Sequence, residues 1–149
     1  MKARIITLAS MVAAVYAACA AEITPSEGMD TSTIQAAIDA AAKVSPAGTV
    51  TLGAGTFLID SQLMVTGGVT LVGQGWENTI IKQTATGADK RCATVDGGAA
   101  IRQVTLTSGC INGNNASGAG VEIKDGTVSW CRIVNNRLFV HDCGWISAA

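Results

Sequence analysis

Short β-prone runs return along this chain at intervals of twenty-odd residues, and that recurrence restricts the available folds more than any other feature. One series comprises Val50-Thr51-Leu52, Val69-Thr70-Leu71, Ala93-Thr94-Val95 and Val121-Glu122-Ile123. Counted between Leu52, Leu71, Val95 and Ile123, its steps are 19, 24 and 28 residues. A second series falls between the members of the first: Phe57-Leu58-Ile59, Ile80-Ile81, Val104-Thr105-Leu106 and Cys131-Arg132-Ile133. From Ile59 through Ile81 and Leu106 to Ile133, its steps are 22, 25 and 27 residues. Repeats of this length mark a solenoid, in which each repeat buries its apolar edge only against its neighbours. Such a stack offers a long lateral surface to another polymer.

Turn chemistry punctuates the runs. Gly53 and Gly55, Gly67-Gly68, Gly73 and Gly75, Asp96-Gly97-Gly98 and Asp125-Gly126 stand between them. Glycine relieves the steric cost of positive φ, and Asp-Gly is a strong turn pair. One helix is expected, over residues 32–43. Ser32 and Gln35 have the spacing of a capping box, while Ile34, Ala37, Ile38 and Ala41 share a face. Pro46-Ala47-Gly48 ends it. An apolar helix at this place suits the open end of a stack of strands, where bare backbone edges invite aggregation.

The first twenty residues read as a cleavable export signal. Met1-Lys2-Ala3-Arg4 is a basic head, Ile5 to Ala18 is apolar apart from Thr7 and Ser10, and Ala18-Cys19-Ala20 supplies small residues for cleavage. The apolar run is shorter than the roughly 20 residues a spanning helix needs. Tyr16-Ala17-Ala18-Cys19 also resembles a bacterial lipobox with Tyr in place of Leu, so lipid attachment at Cys19 is the competing reading. Residues 21–29 follow as a polar connector, and 30–149 as the folded part. Loss of Lys2 and Arg4 leaves eight basic against eleven acidic residues, a formal charge of −3. That balance lacks the basic stripe nucleic acid requires. Cys92, Cys110, Cys131 and Cys143 match no paired zinc spacing; export permits disulfides, with three possible pairings, and buried apolar thiols are the alternative.

Between Thr33 and Ala41, Gly48 and Phe57, and Val69 and Gly75, the segments TIQAAIDAA, GTVTLGAGTF and VTLVGQG resemble the opening of pectin-lyase-like right-handed parallel β-helix proteins. GAGVEI (Gly118 to Ile123) and GTVSWCRIVNN (Gly126 to Asn136) resemble later coils with an Asn-bearing corner. The resemblance covers about residues 30–136. It implies an all-β fold: a right-handed parallel β-helix of about four coils with an N-terminal capping helix. The superfamily hosts lyases, glycosidases, epimerases and non-catalytic surface proteins, so activity has to be argued from residues.

The residues argue against an active site complete in this chain. Gly53-Ala54-Gly55 and Gly73-Gln74-Gly75 lack the third glycine and the helix of a dinucleotide loop. Asp96 and Asp125 are explained as turn residues, and calcium needs six to eight oxygens, so no metal site and no cofactor is expected; calcium would enter only with a lyase. In the family an Arg or Lys serves as lyase base, but Arg102 and Arg132 lie in different series with no acidic cluster beside them. Hydrolysis needs clustered carboxylates, and His141-Asp142 points to opposite faces of a strand. Trp130 is the one candidate contact residue. If Val128, Cys131 and Ile133 face inward, its ring faces out, either to stack on a sugar or to pack beneath the segment from Asn112 to Ser117. Trp76 is expected to pin its own loop.

The sequence therefore leads us to expect an exported β-helix domain, secreted or at the cell surface, that touches polysaccharide or another surface and is non-catalytic in this chain. The alternative is the N-terminal fragment of a polysaccharide lyase or glycoside hydrolase. With a cap at the N-terminal end alone, the chain is expected to be the N-terminal part of a longer stack.

Overall fold

The computed structural model describes residues 22–85, 90–112 and 118–139. Helix α1 (Thr31–Ala41) precedes β-strands numbered in chain order, and every strand pairing in the sheets is parallel. One face lines up β1 (Thr49–Thr51), β4 (Thr70–Val72), β7 (Ala99–Arg102) and β11 (Gly126–Ser129). A second lines up β2 (Gly55–Ile59), β5 (Thr79–Gln83), β8 (Thr105–Thr107) and β12 (Arg132–Val134). The third holds β3 (Leu63–Val65), β6 (Ala93–Val95) and β10 (Val121–Ile123), and β9 (Cys110–Asn112) pairs with β13 (Arg137–Phe139).

The second series of the sequence reading lies on one face, with Phe57, Ile81, Leu106 and Ile133 in a single column. Ile59 belongs opposite Gln83, two residues from the expected register. The first series is corrected. Val50 and Leu71 share a column with Ile101 and Val128, whereas Val95 and Ile123 share theirs with Val65 on another face. Similar apolar-x-apolar triplets lie on every inward surface, so spacing alone could not assign them to faces. The inserted stretches 73–78 and 84–92 also blur the period.

Side chains alternate along each strand, so every second residue joins an inward column. Val50, Leu71, Ile101, Phe57, Ile81, Leu106, Leu63, Val65, Ala93 and Val95 are fully buried. Each large member contributes on the order of 1.5–3 kcal/mol by leaving water. The corners differ from face to face. Asn136 turns inward at one of them: its Oδ1 accepts from Gly109 N–H at 2.7 Å and its Nδ2 donates to the Leu106 carbonyl at 3.1 Å. That amide gives the Gly109 N–H, which lies between β8 and β9, its partner at the bend.

At the N-terminal end, three residues continue the ladder that the first strands leave open. Ile23 bridges Leu52, donating to the Thr51 carbonyl and accepting from Gly53 N–H. Asp30 donates its N–H to the Leu58 carbonyl, and its Oδ2 accepts from Leu58 N–H. Gln35 Oε1 accepts from Met64 N–H at 2.9 Å while its Nε2 donates to the Met64 carbonyl at 3.1 Å. Each of β1, β2 and β3 thus meets one of the three. The expected Ser32–Gln35 capping box is overturned: α1 is preceded by Asp30, has no side-chain cap bond and ends at Ala41. Gln35 is worth more on the sheet, because a bare strand edge leaves both a donor and an acceptor unmatched. Ile34 and Ile38 seal the core beneath the helix.

Candidate functional site

The bend between the first and second faces is built by a different rule. After β7 the chain turns on Gln103 (φ 57°), and one strand later, after β11, it turns on Trp130 (φ 55°). Single left-handed residues suffice here because inward Val104 and Cys131 start the next face directly behind them. One strand earlier the same bend is a longer excursion, residues 73–78. Gly73 N–H donates to the Arg102 carbonyl at 3.0 Å and Gly75 N–H to the Gln103 carbonyl at 3.2 Å. A Cβ on Gly73 would lie 2.5 Å from the Gln103 carbonyl oxygen and 2.7 Å from Val104 Cγ1. Only glycine lets the excursion sit against the next bend.

That excursion carries Trp76. Its carbonyl accepts the hydroxyl of Thr105 at 2.6 Å, Asn78 Nδ2 donates to the Gln74 carbonyl, and Gln74 N–H donates to Thr79 Oγ1. The expected pinning of this loop is therefore backbone work, and the indole stays 39% exposed. Over it lies the guanidinium of Arg132, 5.7 Å from the ring centroid. Arg132 shares a column with Ile80 and Thr105, so it reaches back across β8 to a loop that precedes β5. Sequence reasoning missed this pair, because 56 residues separate its members and only the stacking of strands joins them.

Trp130 is 79% exposed, while Val128 and Cys131 pack against the core. The outward assignment of Trp130 and the inward ones of Val128 and Cys131 agree with the sequence expectation, whereas Ile133, expected inward, is 47% exposed. The lateral-packing alternative invoked the segment from Asn112 to Ser117, of which residues 113–117 lie outside the described residues. Positive φ is a true outlier for a bulky side chain, costing about 1–3 kcal/mol. Asn135 takes the analogous φ at another bend, with a residue type that tolerates it. Trp130 bears that strain with its indole 79% exposed.

The remaining candidates are placed plainly. Arg102 and Arg132 are both exposed and belong to different faces. Neither forms an ion pair among the described residues, where the pairs present are Arg91–Glu122 at 3.8 Å and Lys124–Glu122 at 4.0 Å. Asp96 Oδ1 accepts from Gly97 N–H at 2.8 Å, as its turn role requires. Lys124, rather than Asp125, follows Ile123 at the place Asp96 takes after Val95. The two aspartates therefore do not form a matched pair on adjacent strands. Among the described residues, no group of three His, Cys, Asp or Glu is placed to hold a metal ion. Cys92 and Cys131 are free thiols; burial pushes the Cys92 thiol up to about 11 and raises that of Cys131. Cys143, His141 and Asp142 lie outside the described residues, as does Cys19. No helix among the described residues is long and apolar enough to cross a membrane.

The profile of the rhamnogalacturonase A/epimerase, pectate lyase-like family matches residues 26–135. The chain belongs to that family. Its match spans the cap, the loop carrying Trp76 and the bend carrying Trp130, so these features lie within the family domain. No curated protein and no solved structure matches the chain.

Proposed function

We infer that this chain supplies a polysaccharide-contacting β-helix domain that works outside the cell and is non-catalytic in itself. The single observation that carries the reading is Trp130, an indole held open at a strained bend of a pectate lyase-like domain. An aromatic face presented to solvent can lie against the C–H face of a pyranose while its N–H edge stays wet. Family membership supports polysaccharide as the polymer. The basic head and apolar run before Ala21 support export. The architecture we assign is a right-handed solenoid of about four coils, one per strand of its longest faces.

The reading is tested by affinity electrophoresis of the purified chain through gels carrying plant and bacterial polysaccharides. Retardation is expected, and Trp130→Ala should abolish it while leaving the far-ultraviolet dichroism intact. Equal mobility of parent and variant in every polysaccharide would refute it. The family's enzymatic members favour a second reading, the N-terminal piece of a lyase or hydrolase. Calcium-dependent cleavage of polygalacturonate by the purified chain would establish that one instead.

A further inference from the structure

We propose that the Asp96–Gly97 peptide is a self-modification site, which the chain converts through a cyclic imide to an isoaspartyl linkage. Asp125–Gly126 is the same dipeptide and stays intact in the folded protein. The inference is independent of any polysaccharide contact.

Local geometry supplies the first argument. Asp96 and Gly97 stand at the corner between the third face and the first, directly after β6. The Gly97 N–H donates to Oδ1 of Asp96 at 2.8 Å. The carboxyl is therefore already folded back on the peptide nitrogen that would attack it, and holding reactants together removes part of the entropic barrier. Nothing crowds the step: Gly97 and Gly98 are exposed, with φ 61° and 74°, and a Cβ on Gly98 would meet nothing within 4 Å. The chemistry balances with water alone. The Gly97 nitrogen bonds to Cγ of the protonated carboxyl, and its hydrogen leaves with the carboxyl hydroxyl as water. Water then opens the imide. Addition at Cγ restores Asp96, whereas addition at the main-chain carbonyl carbon leaves the backbone running through Cγ, one methylene longer.

The second dipeptide supplies the contrast. Gly126 opens β11 and lies so close to the preceding level that a Cβ there would overlap the Ala99 carbonyl oxygen. The described hydrogen bonds of Asp125 are main-chain ones: its carbonyl accepts from Gly98 N–H at 3.1 Å, and its N–H donates to the Val95 carbonyl at 3.4 Å. An imide at this place would have to form against packed neighbours. The Asp96 corner is open to the reaction but tied to both adjacent levels. Asp96 N–H donates to the Val65 carbonyl at 3.0 Å, the Gly97 carbonyl accepts from Gly68 N–H at 2.9 Å, and Gly98 N–H reaches the Asp125 carbonyl. A methylene inserted between residues 96 and 97 displaces these bonds together. In a stack held by nearest-neighbour contacts, the change loosens the levels on either side.

The test ages the purified full chain near pH 5 and body temperature, folded or in urea, and follows it by tryptic peptide mapping. Trypsin separates the sites, since the peptide Cys92–Arg102 carries Asp96 and the peptide Asp125–Arg132 carries Asp125. In the folded chain an isomer of Cys92–Arg102, unchanged in mass and resistant to cleavage before residue 96, should accumulate. Its rate should exceed that of the Asp125–Arg132 isomer at least about threefold, as pre-positioned reacting atoms require. In urea the ratio should fall toward one, because the dipeptides are identical. Aged in heavy-oxygen water, the isomer should gain one labelled oxygen from opening of the imide. Asp96→Glu should keep the carboxylate and suppress the product, since its ring would have six members. Amide exchange at Gly68 and Gly98 should be faster in the isomerised fraction. Equal rates for the two peptides in the folded chain, or a Cys92–Arg102 isomer that forms only in urea, overturns the proposal. Unaltered exchange at Gly68 and Gly98 overturns its consequence for the stack.

Discussion

The first and the last described levels of the strand stack differ in how their inward residues are covered. At the N-terminal end, Ile23, Asp30 and Gln35 each meet the backbone of one first strand, and Ile34 and Ile38 close the core. At the last described level, the same inward columns reach Ile123 and Ile133, 52% and 47% exposed, whose predecessors Val95 and Leu106 are fully buried. Similar apolar side chains are thus core at one level and surface one strand later. Position in the stack, rather than residue type, sets what a hydrophobic residue contributes in a structure built from nearest-neighbour contacts.

The sharpest way to break the contrast is Ile38→Asp. A carboxylate beneath the helix has no partner there, and the expected loss is about 3–5 kcal/mol, seen as a lower urea midpoint and rapid proteolysis. A variant as protease-resistant as the parent would show that α1 is not a cap. Next comes a paired truncation within one column. Ile81→Ala should cost about 2–5 kcal/mol, as cavity formation in a close-packed core does. Ile133→Ala, two places along the same column, should cost under about 1 kcal/mol, since half its surface is already wet. Equal losses in chemical denaturation would mean that the far end is as well covered as the middle.

Asn136→Ala sharpens the comparison at a bend. It strands the Gly109 N–H, for an expected loss of about 1–3 kcal/mol, with amide exchange accelerating at Gly109 first. The smallest effect at neutral pH is that of the Cys92 thiol. Its folded value is raised above the ordinary 9.0 to about 11 by burial. The fold therefore holds the proton more tightly than the unfolded chain does. This contribution is whole below pH 9 and declines as pH climbs toward 11. Cys92→Ser should flatten that alkaline decline, and in the native parent iodoacetamide should label Cys131 before Cys92.

Some of this was legible from the residues alone. The helix with its buried Ile34 and Ile38 and the outward Trp130 follow from periodicities of 3.6 and 2, and the parallel ladder through Ile81, Leu106 and Ile133 from the recurrence every twenty-odd residues. The use of Gln35 was not legible. A capping-box spacing and a sheet-edge amide look the same in one dimension, and which wins depends on whether a strand lies within reach. The partition of triplets among faces was hidden for the same reason: Ala93-Thr94-Val95 and Val69-Thr70-Leu71 are equivalent as sequence and differ only in the strand they lie on.

What the sequence by itself determined is local: where strands run, where glycine lets the chain turn, and which side chains point in. Those choices depend on dihedral preference and on removing apolar surface from water, and each is encoded within a few residues. What only the tertiary structure decided is which distant residues meet. Arg132 rests on Trp76 and Gln35 on Met64 because strands stack in parallel at fixed spacing. That spacing belongs to the hydrogen-bonded ladder, and no single segment carries it.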